Sequence, residues 1–331
     1  MSPPPSDIVR RNKTRILLAF AAVYFIWGST YLFIKYAIDS IPPFMMGASR
    51  FLVAGVLLYA IARWRGAPRP DARDWRSAAI TGILMLGVGN GAVIWAELTV
   101  PSGVVALIVS TVPIWIVLMD WLRPRGVRPR MTVFLGLALG LVGMVILIGP
   151  RAIIGEGHVD EVGALVLLIG SLGWALGTVL VRGSRRTGAP LVFSALQMLS
   201  AAGAMLVASL VFRESASFSL ANVTLKSALS FVYLVIGGSI IGYTAYVYLL
   251  GQVSAAKAST YAYVNPIIAV VLGWAFASEP IGLRTLVAAG VILAGVAIIT
   301  TTHSRGGEGP ATGGGEHPLP HAPVRAQRPA A

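Results

Sequence analysis

Ten apolar runs follow one another along the chain, at about 16–37, 43–62, 77–97, 101–122, 131–149, 161–182, 190–212, 227–250, 255–278 and 282–302. A helix needs about 20 mostly apolar residues to cross the hydrocarbon of a bilayer. Each run is long enough, and the links between them are short and carry Pro or charged residues. In hydrocarbon the backbone must bond within its own segment, so each run is expected to form a helix. The composition agrees, with 56% apolar and 12% charged residues, against about 25% charged in soluble domains. The expected fold class is therefore all-α and polytopic, with ten transmembrane helices. The first run follows Arg10, Arg11, Lys13 and Arg15, as a secretory signal would. Its apolar stretch is too long for one and no small-residue cleavage site follows, so it reads as a retained first span.

The formal charge of +13 is best understood by where it falls. With the N-terminus inside and sides alternating, the inner segments hold Arg10, Arg11, Lys13 and Arg15; Arg63, Arg65, Arg69, Arg73 and Arg76; Arg123, Arg125, Arg128 and Arg130; Arg182, Arg185 and Arg186; and Arg305, Arg325 and Arg328. These are 19 of the 26 basic residues, against Arg151, Arg213, Lys226 and Arg284 outside. That split follows the positive-inside rule and puts both termini in the cytoplasm. The charge is thus a record of membrane insertion and of contact with anionic lipid, and no nucleic-acid partner is expected. The expected location is the inner or plasma membrane, as a multi-pass protein.

The two halves repeat. Trp27 meets Trp174, Lys35 meets Arg182, Pro43 meets Pro190 and Arg50 meets Gln197, each 147 residues later. Further on the offset is 153, pairing Pro113 with Pro266 and Trp121 with Trp274. Gly143 meets Gly295 at an offset of 152. Each copy holds five spans, an odd number, so the second copy enters the membrane from the opposite side. Inverted repeats are a mark of alternating-access transporters, with the solute site near the midplane between the halves. A duplication kept only for packing is the alternative, and ten spans with tiny loops favour transport. The expected divisions are an N-terminal cytoplasmic segment 1–15, a first repeat 16–149, a second repeat 161–302, and a disordered cytoplasmic tail 303–331 rich in Gly and Pro.

The pattern WGST at 27–30 with Lys35 and Pro43, and the run GNGAVIWAELTVPSGVVALIVSTVP at 89–113, resemble the EamA family of the drug/metabolite transporter superfamily. The second half repeats the pattern with WALGTVLVR at 174–182 and YAYVNPIIAVVLGWAFASEP at 261–280. The subgroup most resembled is the YedA-like permeases. The resemblance covers residues 16–302. It implies two inverted five-helix repeats, with spans 1–4 and 6–9 around a central pathway and spans 5 and 10 peripheral. It also implies export of amino acids, metabolites or drugs.

Polar side chains in hydrocarbon turn toward the protein interior or a wet cavity. That rule selects Trp27, Ser29 and Thr30 in span 1, Trp174 and Thr178 in span 6, and Asn90 in span 3 as pathway residues. It also selects Ser110, Thr111 and Pro113 in span 4, and Tyr263, Asn265 and Pro266 in span 9. Each proline removes a backbone N–H and frees a carbonyl, although plain kinking serves packing equally well. Arg50 lies about two turns into span 2 and needs a partner or water at that depth. It is expected to bind a substrate carboxylate, with Gln197 as its repeat counterpart; snorkelling or an ion pair with Glu97 is the alternative. Lys35 and Arg182 at span ends, Lys257, and Glu97 are candidates for gating or for snorkelling. Tyr243, Tyr246, Tyr248, Tyr261 and Tyr263 cluster in spans 8 and 9, and two of the five are expected to face the pathway. No Asp or Glu falls at mid-depth in the sequence, which disfavours a carboxylate proton relay and leaves Glu97 as its one marginal candidate.

Zero Cys and four His, three of them after residue 302, leave no metal set, no cofactor motif and no catalytic constellation, so no enzyme is expected. Short loops speak against a receptor or sensor. The expected function is a secondary transporter of small organic solutes, an exporter working by alternating access. A facilitative, channel-like permease is the alternative. Monomer and homodimer remain open.

Overall fold

Large aliphatic residues cover the outside of this protein, and its interior mixes small and polar residues with aromatic and aliphatic ones. The computed structural model describes residues 5–100, 102–123, 128–148, 160–183, 189–216, 218–277 and 282–302. The tail expected at 303–331 lies outside the described residues. All regular structure among the described residues is helical. In chain order the rods are α1 (Pro5–Ile38), α2 (Pro43–Trp64), α3 (Ala72–Ala96), α4 (Ser102–Val109 with Val112–Leu122), α5 (Met131–Ile148), α6 (Glu161–Gly183), α7 (Pro190–Val211), α8 (Leu225–Gln252), α9 (Ala255–Ala258 with Tyr261–Ala277) and α10 (Leu283–Thr302).

Eight of these are long and apolar enough to cross a membrane, and Met131–Leu147 in α5 is a shorter apolar helix. That count is of the described residues alone. In α9 the turn at Ser259 and Thr260 interrupts the helix; their hydroxyls donate back to the carbonyls of Ala256 and Lys257 at 3.0 and 2.7 Å. A similar turn breaks α4, where Ser110 and Thr111 donate to Leu107 and Ile108 at 2.6 Å each. Pro113 then opens the second segment of α4, where a missing N–H costs nothing. Pro266 lies within the second segment of α9 instead. At the start of the chain, α1 begins at Pro5, so part of the segment expected at 1–15 extends the first helix.

Both α3 and α8 contain a π-helical stretch, Ile83–Asn90 and Leu234–Tyr243, at corresponding places in the two halves. π-Turns are rare and concentrate at functional sites. α2 packs along α7, and α5 along α10. α1 lies against α8 and α9, while α6 lies against α3 and α4. Exchanging the halves maps this set of contacts onto itself. The duplicated sequence has therefore produced a duplicated packing.

Close approach sets the inner glycines. A Cβ on Gly82 of α3 would enter the Gln197 backbone of α7, with that residue's Cα at 2.6 Å. A Cβ on Gly295 would lie 2.6 Å from the Gly136 carbonyl, so α5 and α10 meet backbone to backbone. Outward faces carry Leu17, Leu18, Phe25, Leu52, Val56, Leu206, Val207 and Leu210, all exposed. That pattern suits a hydrocarbon solvent and would be an aggregation hazard in water.

One end of α2 is held by an acid from a distant loop. Both carboxylate oxygens of Glu214 accept from backbone N–H groups of Phe44 and Met45, at 3.0 and 2.8 Å. Pro43 at the first turn supplies no N–H of its own, so Glu214 satisfies the donors that follow it. An anion there also suits the positive end of the helix dipole. Glu214→Ala is expected to lower stability by about 1–2 kcal/mol, read as an earlier thermal unfolding transition in detergent. An unchanged transition would show that water replaces the carboxylate at no cost.

Candidate functional site

The two π-helical stretches face each other across a cavity of ≈ 70 Å³ between the halves. It has room for several waters, and it is too small in this conformation for a drug-sized solute. α3 contributes Leu86, Gly89 and Asn90, and α8 contributes Gly238 and Tyr243. α1 adds Trp27, Thr30, Tyr31 and Ile34, and α6 adds Gly170, Ser171 and Trp174.

Aromatic rings close one side. The Trp27 ring lies 5.5 Å from Trp174, 4.9 Å from Tyr261 and 5.2 Å from Tyr246, and Tyr246 lies 5.3 Å from Tyr261. Most of these pairs are edge-to-face or tilted, the arrangement that ring quadrupoles favour. Trp27 is fixed by its Nε1–H, which donates to the Gly238 carbonyl at 3.0 Å. Gly242 packs directly on the same indole. Thr178 and the Tyr246 hydroxyl share a hydrogen bond of 2.9 Å.

Arg50 enters from α2 and is buried. Its Nε donates to Ser239 Oγ of α8 at 2.8 Å, and its guanidinium carbon lies 4.9 Å from the Phe51 ring centre. Neither snorkelling nor an ion pair with Glu97 occurs: Arg50 makes no ion pair among the described residues. Its Nη1 is sealed from solvent and has no hydrogen-bond partner. Asn90 Oδ1 and Ser171 Oγ, which line the same cavity, are also sealed and unpartnered. The Trp174 indole N–H lies toward the Tyr246 hydroxyl without completing a hydrogen bond. Buried polar groups are rarely left so. Here Arg50, Asn90, Ser171 and Trp174, each with such an atom, all line one cavity.

Of the residues selected from the sequence, Trp27, Thr30, Arg50, Asn90, Trp174, Tyr243 and Asn265 line the cavity. The Asn265 amide, oriented by its neighbours, donates to the carbonyls of Tyr261 and Tyr24 at 3.0 and 3.3 Å. The others lie elsewhere. Ser29 bonds Ile26 O and the Tyr233 hydroxyl, Thr178 lies behind the aromatic side, and Ser110 and Thr111 serve the break in α4. Pro113 and Pro266 adjoin the lining residues Val112 and Asn265 without lining the cavity themselves. Gln197 donates to Thr81 Oγ1 at 2.8 Å, deep in the α3–α7 contact and away from the cavity. Tyr263 turns toward α5 and donates to the Leu137 carbonyl at 3.3 Å. Of the tyrosine cluster, Tyr243 and Tyr261 line the cavity, while Tyr248 reaches Asn12. Lys35, Glu97, Arg182 and Lys257 all lie outside it. Arg182 instead donates to the Val253 carbonyl at 2.7 Å.

Tyr31, Ser171 and Ser239 escaped the sequence reading. Tyr31 lies four residues after Trp27, hence on the same helix face, and that spacing was the available signal. Ser239 sits in a glycine-rich π-turn whose register no spacing rule reveals.

The family model for EamA-like transporters matches residues 14–149 and again 161–301, one match to each half. The chain belongs to the EamA-like transporter family. Among this family's proteins it is 40% identical over 284 residues to the uncharacterized inner membrane transporter YedA of Escherichia coli (strain K12), covering 85% of this chain and 89% of YedA. It is 26% identical over 293 residues to the uncharacterized transporter YvbV of Bacillus subtilis (strain 168), covering 88% and 92% of the two chains. A crystal structure of a protein 23% identical superposes with a TM-score of 0.73, over 88% of this chain and 98% of that one, and shares the fold. An EamA-like transporter is a multi-pass membrane protein, and the apolar helices described above give this chain the means to be one.

Proposed function

We propose that this protein is a secondary transporter that exports small organic solutes across the inner membrane by alternating access at the central cavity. Ten crossings in two inverted halves, with both termini cytoplasmic, are part of this reading. It is supported by the odd number of apolar runs per half, by the basic residues gathered on one side, and by helix contacts that map onto themselves when the halves exchange.

The unpartnered Arg50 Nη1 in an aromatic-walled cavity carries the reading of the solute. A carboxylate of the solute bonds Arg50, which stays anchored through Nε to Ser239. Asn90 Oδ1 accepts an N–H of the same solute, and its apolar part rests on Trp27, Trp174 and Tyr261. The chemical class is an amino acid or amino-acid-like metabolite. The small cavity is that of a state closed around the site, and a solute enters when the halves rock apart.

Purified protein in liposomes, preloaded with a panel of amino acids and carboxylate drugs, is expected to show saturable counterflow of at least one of them. Flux that rises without saturation would replace the carrier with a channel. Saturable flux confined to solutes lacking a carboxylate would remove Arg50 as the recognising group.

A further inference from the structure

Glu97 ends α3 one turn beyond Val93, which lines the cavity. Both of its carboxylate oxygens are sealed from solvent, and neither has a hydrogen-bond partner. No other side chain among the described membrane helices hides both oxygens of an acid in this way. The fields that reach it come from α1, from Lys35 and from Tyr31, which lines the cavity. Lys35 forms no ion pair with it in this conformation, and its own side chain lies exposed at the end of α1. The elements packed on this end of α3 are α2 and α6. Their charged groups on this side are Arg50, held by Ser239, and Asp160 and Glu161 at the start of α6. Asp160 takes the Thr99 hydroxyl at 2.7 Å, so it is engaged as well. Hydrogen bonds from Thr99 and from the backbone of Gly163 and Val162 hold its carboxyl below the ordinary range.

A carboxylate anion cannot rest in such a place. Taking a charge out of water costs several kcal/mol unless a partner is supplied. A proton on the carboxyl would relieve that cost, and so would an approach of Lys35. These belong to different arrangements of α1 against α3, the helices that bear the cavity-lining residues Trp27, Tyr31, Asn90 and Val93.

We infer that Glu97 is a proton-binding site that couples solute transport to a proton gradient, protonated in the conformation seen here and released to pair with Lys35 when α1 moves toward α3. The step is a plain proton transfer: water-borne H⁺ adds to the carboxylate, and leaves it when the Lys35 ammonium arrives. It rests on the transport reading above and adds its driving ion.

The carboxylic acid C=O band of the purified, reconstituted protein tests this without any solute. Infrared difference spectra taken across a pH series are expected to show a band lost on alkalinisation and missing in Glu97→Gln. In Lys35→Met the band is expected to persist about 1 pH unit further into the alkaline range, because the cation that favours the anion is gone. Absence of the band in the wild type, its survival in Glu97→Gln, or an unmoved Lys35→Met titration would each overturn the proposal. Solute flux in the same liposomes forms a second arm. Wild-type flux is expected to respond to an imposed pH gradient and Glu97→Gln flux to ignore it. A titrating band with no solute flux would sink the transport reading and leave the proton site standing; flux in wild type and Glu97→Gln alike, equally sensitive to the gradient, would do the reverse.

Discussion

Arg50→Ala is expected to raise the half-saturation concentration for a carboxylate-bearing solute by about tenfold to a hundredfold. A hydrogen bond to a charged group contributes about 1.5–3 kcal/mol, and each 1.4 kcal/mol is about tenfold in affinity. The same deletion also removes Arg50 from Ser239 and from the Phe51 ring, so thermal stability is measured beside transport. Arg50→Lys is the sharper variant. A lysine keeps the charge but lacks the planar fork that reaches Ser239 and a solute at once. It is expected to recover stability more fully than affinity. Solutes without a carboxylate are expected to be indifferent to both changes. Concentration series of counterflow in liposomes measure all of this, and an unchanged half-saturation value in Arg50→Ala would remove the carboxylate contact.

Much of the scaffold was legible because the bilayer admits so few solutions. Apolar length and a repeated order of Trp, Pro and Gly are one-dimensional signals, and helices follow from the first of them. The cavity was legible only in part. Trp27, Arg50, Asn90, Trp174 and Asn265 declared themselves as polar or aromatic residues within the apolar runs. Their partners did not. Ser239 meets Arg50 across 189 residues of chain, and it does so from a π-turn that shifts the register by one residue. A sequence such as LVIGGSIIGY carries no mark of that shift. Gln197 misled for a related reason. It matches Arg50 in the repeat, but its own partner is Thr81, so the two equivalents hold the same place in the packing and have different surroundings. Glu97 stands at the end of its run, where the sequence reads it as an edge residue. Only the folded arrangement shows its oxygens sealed.

That quasi-equivalence separates stability from function in a pair of identical substitutions. Gly82→Ala would drive a methyl into the backbone of Gln197, where the Cα and carbonyl carbon lie 2.6 and 2.8 Å from the new atom. Neither helix has a flexible side chain at that point to give way, so α3 and α7 must separate. Overpacking of this kind costs typically about 1–3 kcal/mol and more where backbone must move. Gly82→Ala is therefore expected to unfold well below the wild type, with a low yield of folded protein. Gly238 of α8 lies instead against the side chain of Arg50, the repeat counterpart of Gln197, and against Thr30. There the new methyl of Gly238→Ala meets Arg50 Nη2 at 2.8 Å, the far end of a long side chain that can swing. The variant's stability is expected to stay near wild type while carboxylate affinity falls, because the guanidinium is displaced from the cavity. Gly203→Ala is the control, with open space around it. Alanine in a helix interior is favoured over glycine by about 0.5–1 kcal/mol, so this variant is expected to melt slightly above the wild type. Detergent melting curves and counterflow on the three variants test the order. A Gly238→Ala protein that keeps full affinity would mean that the guanidinium holds its cavity position by some contact other than the bond to Ser239.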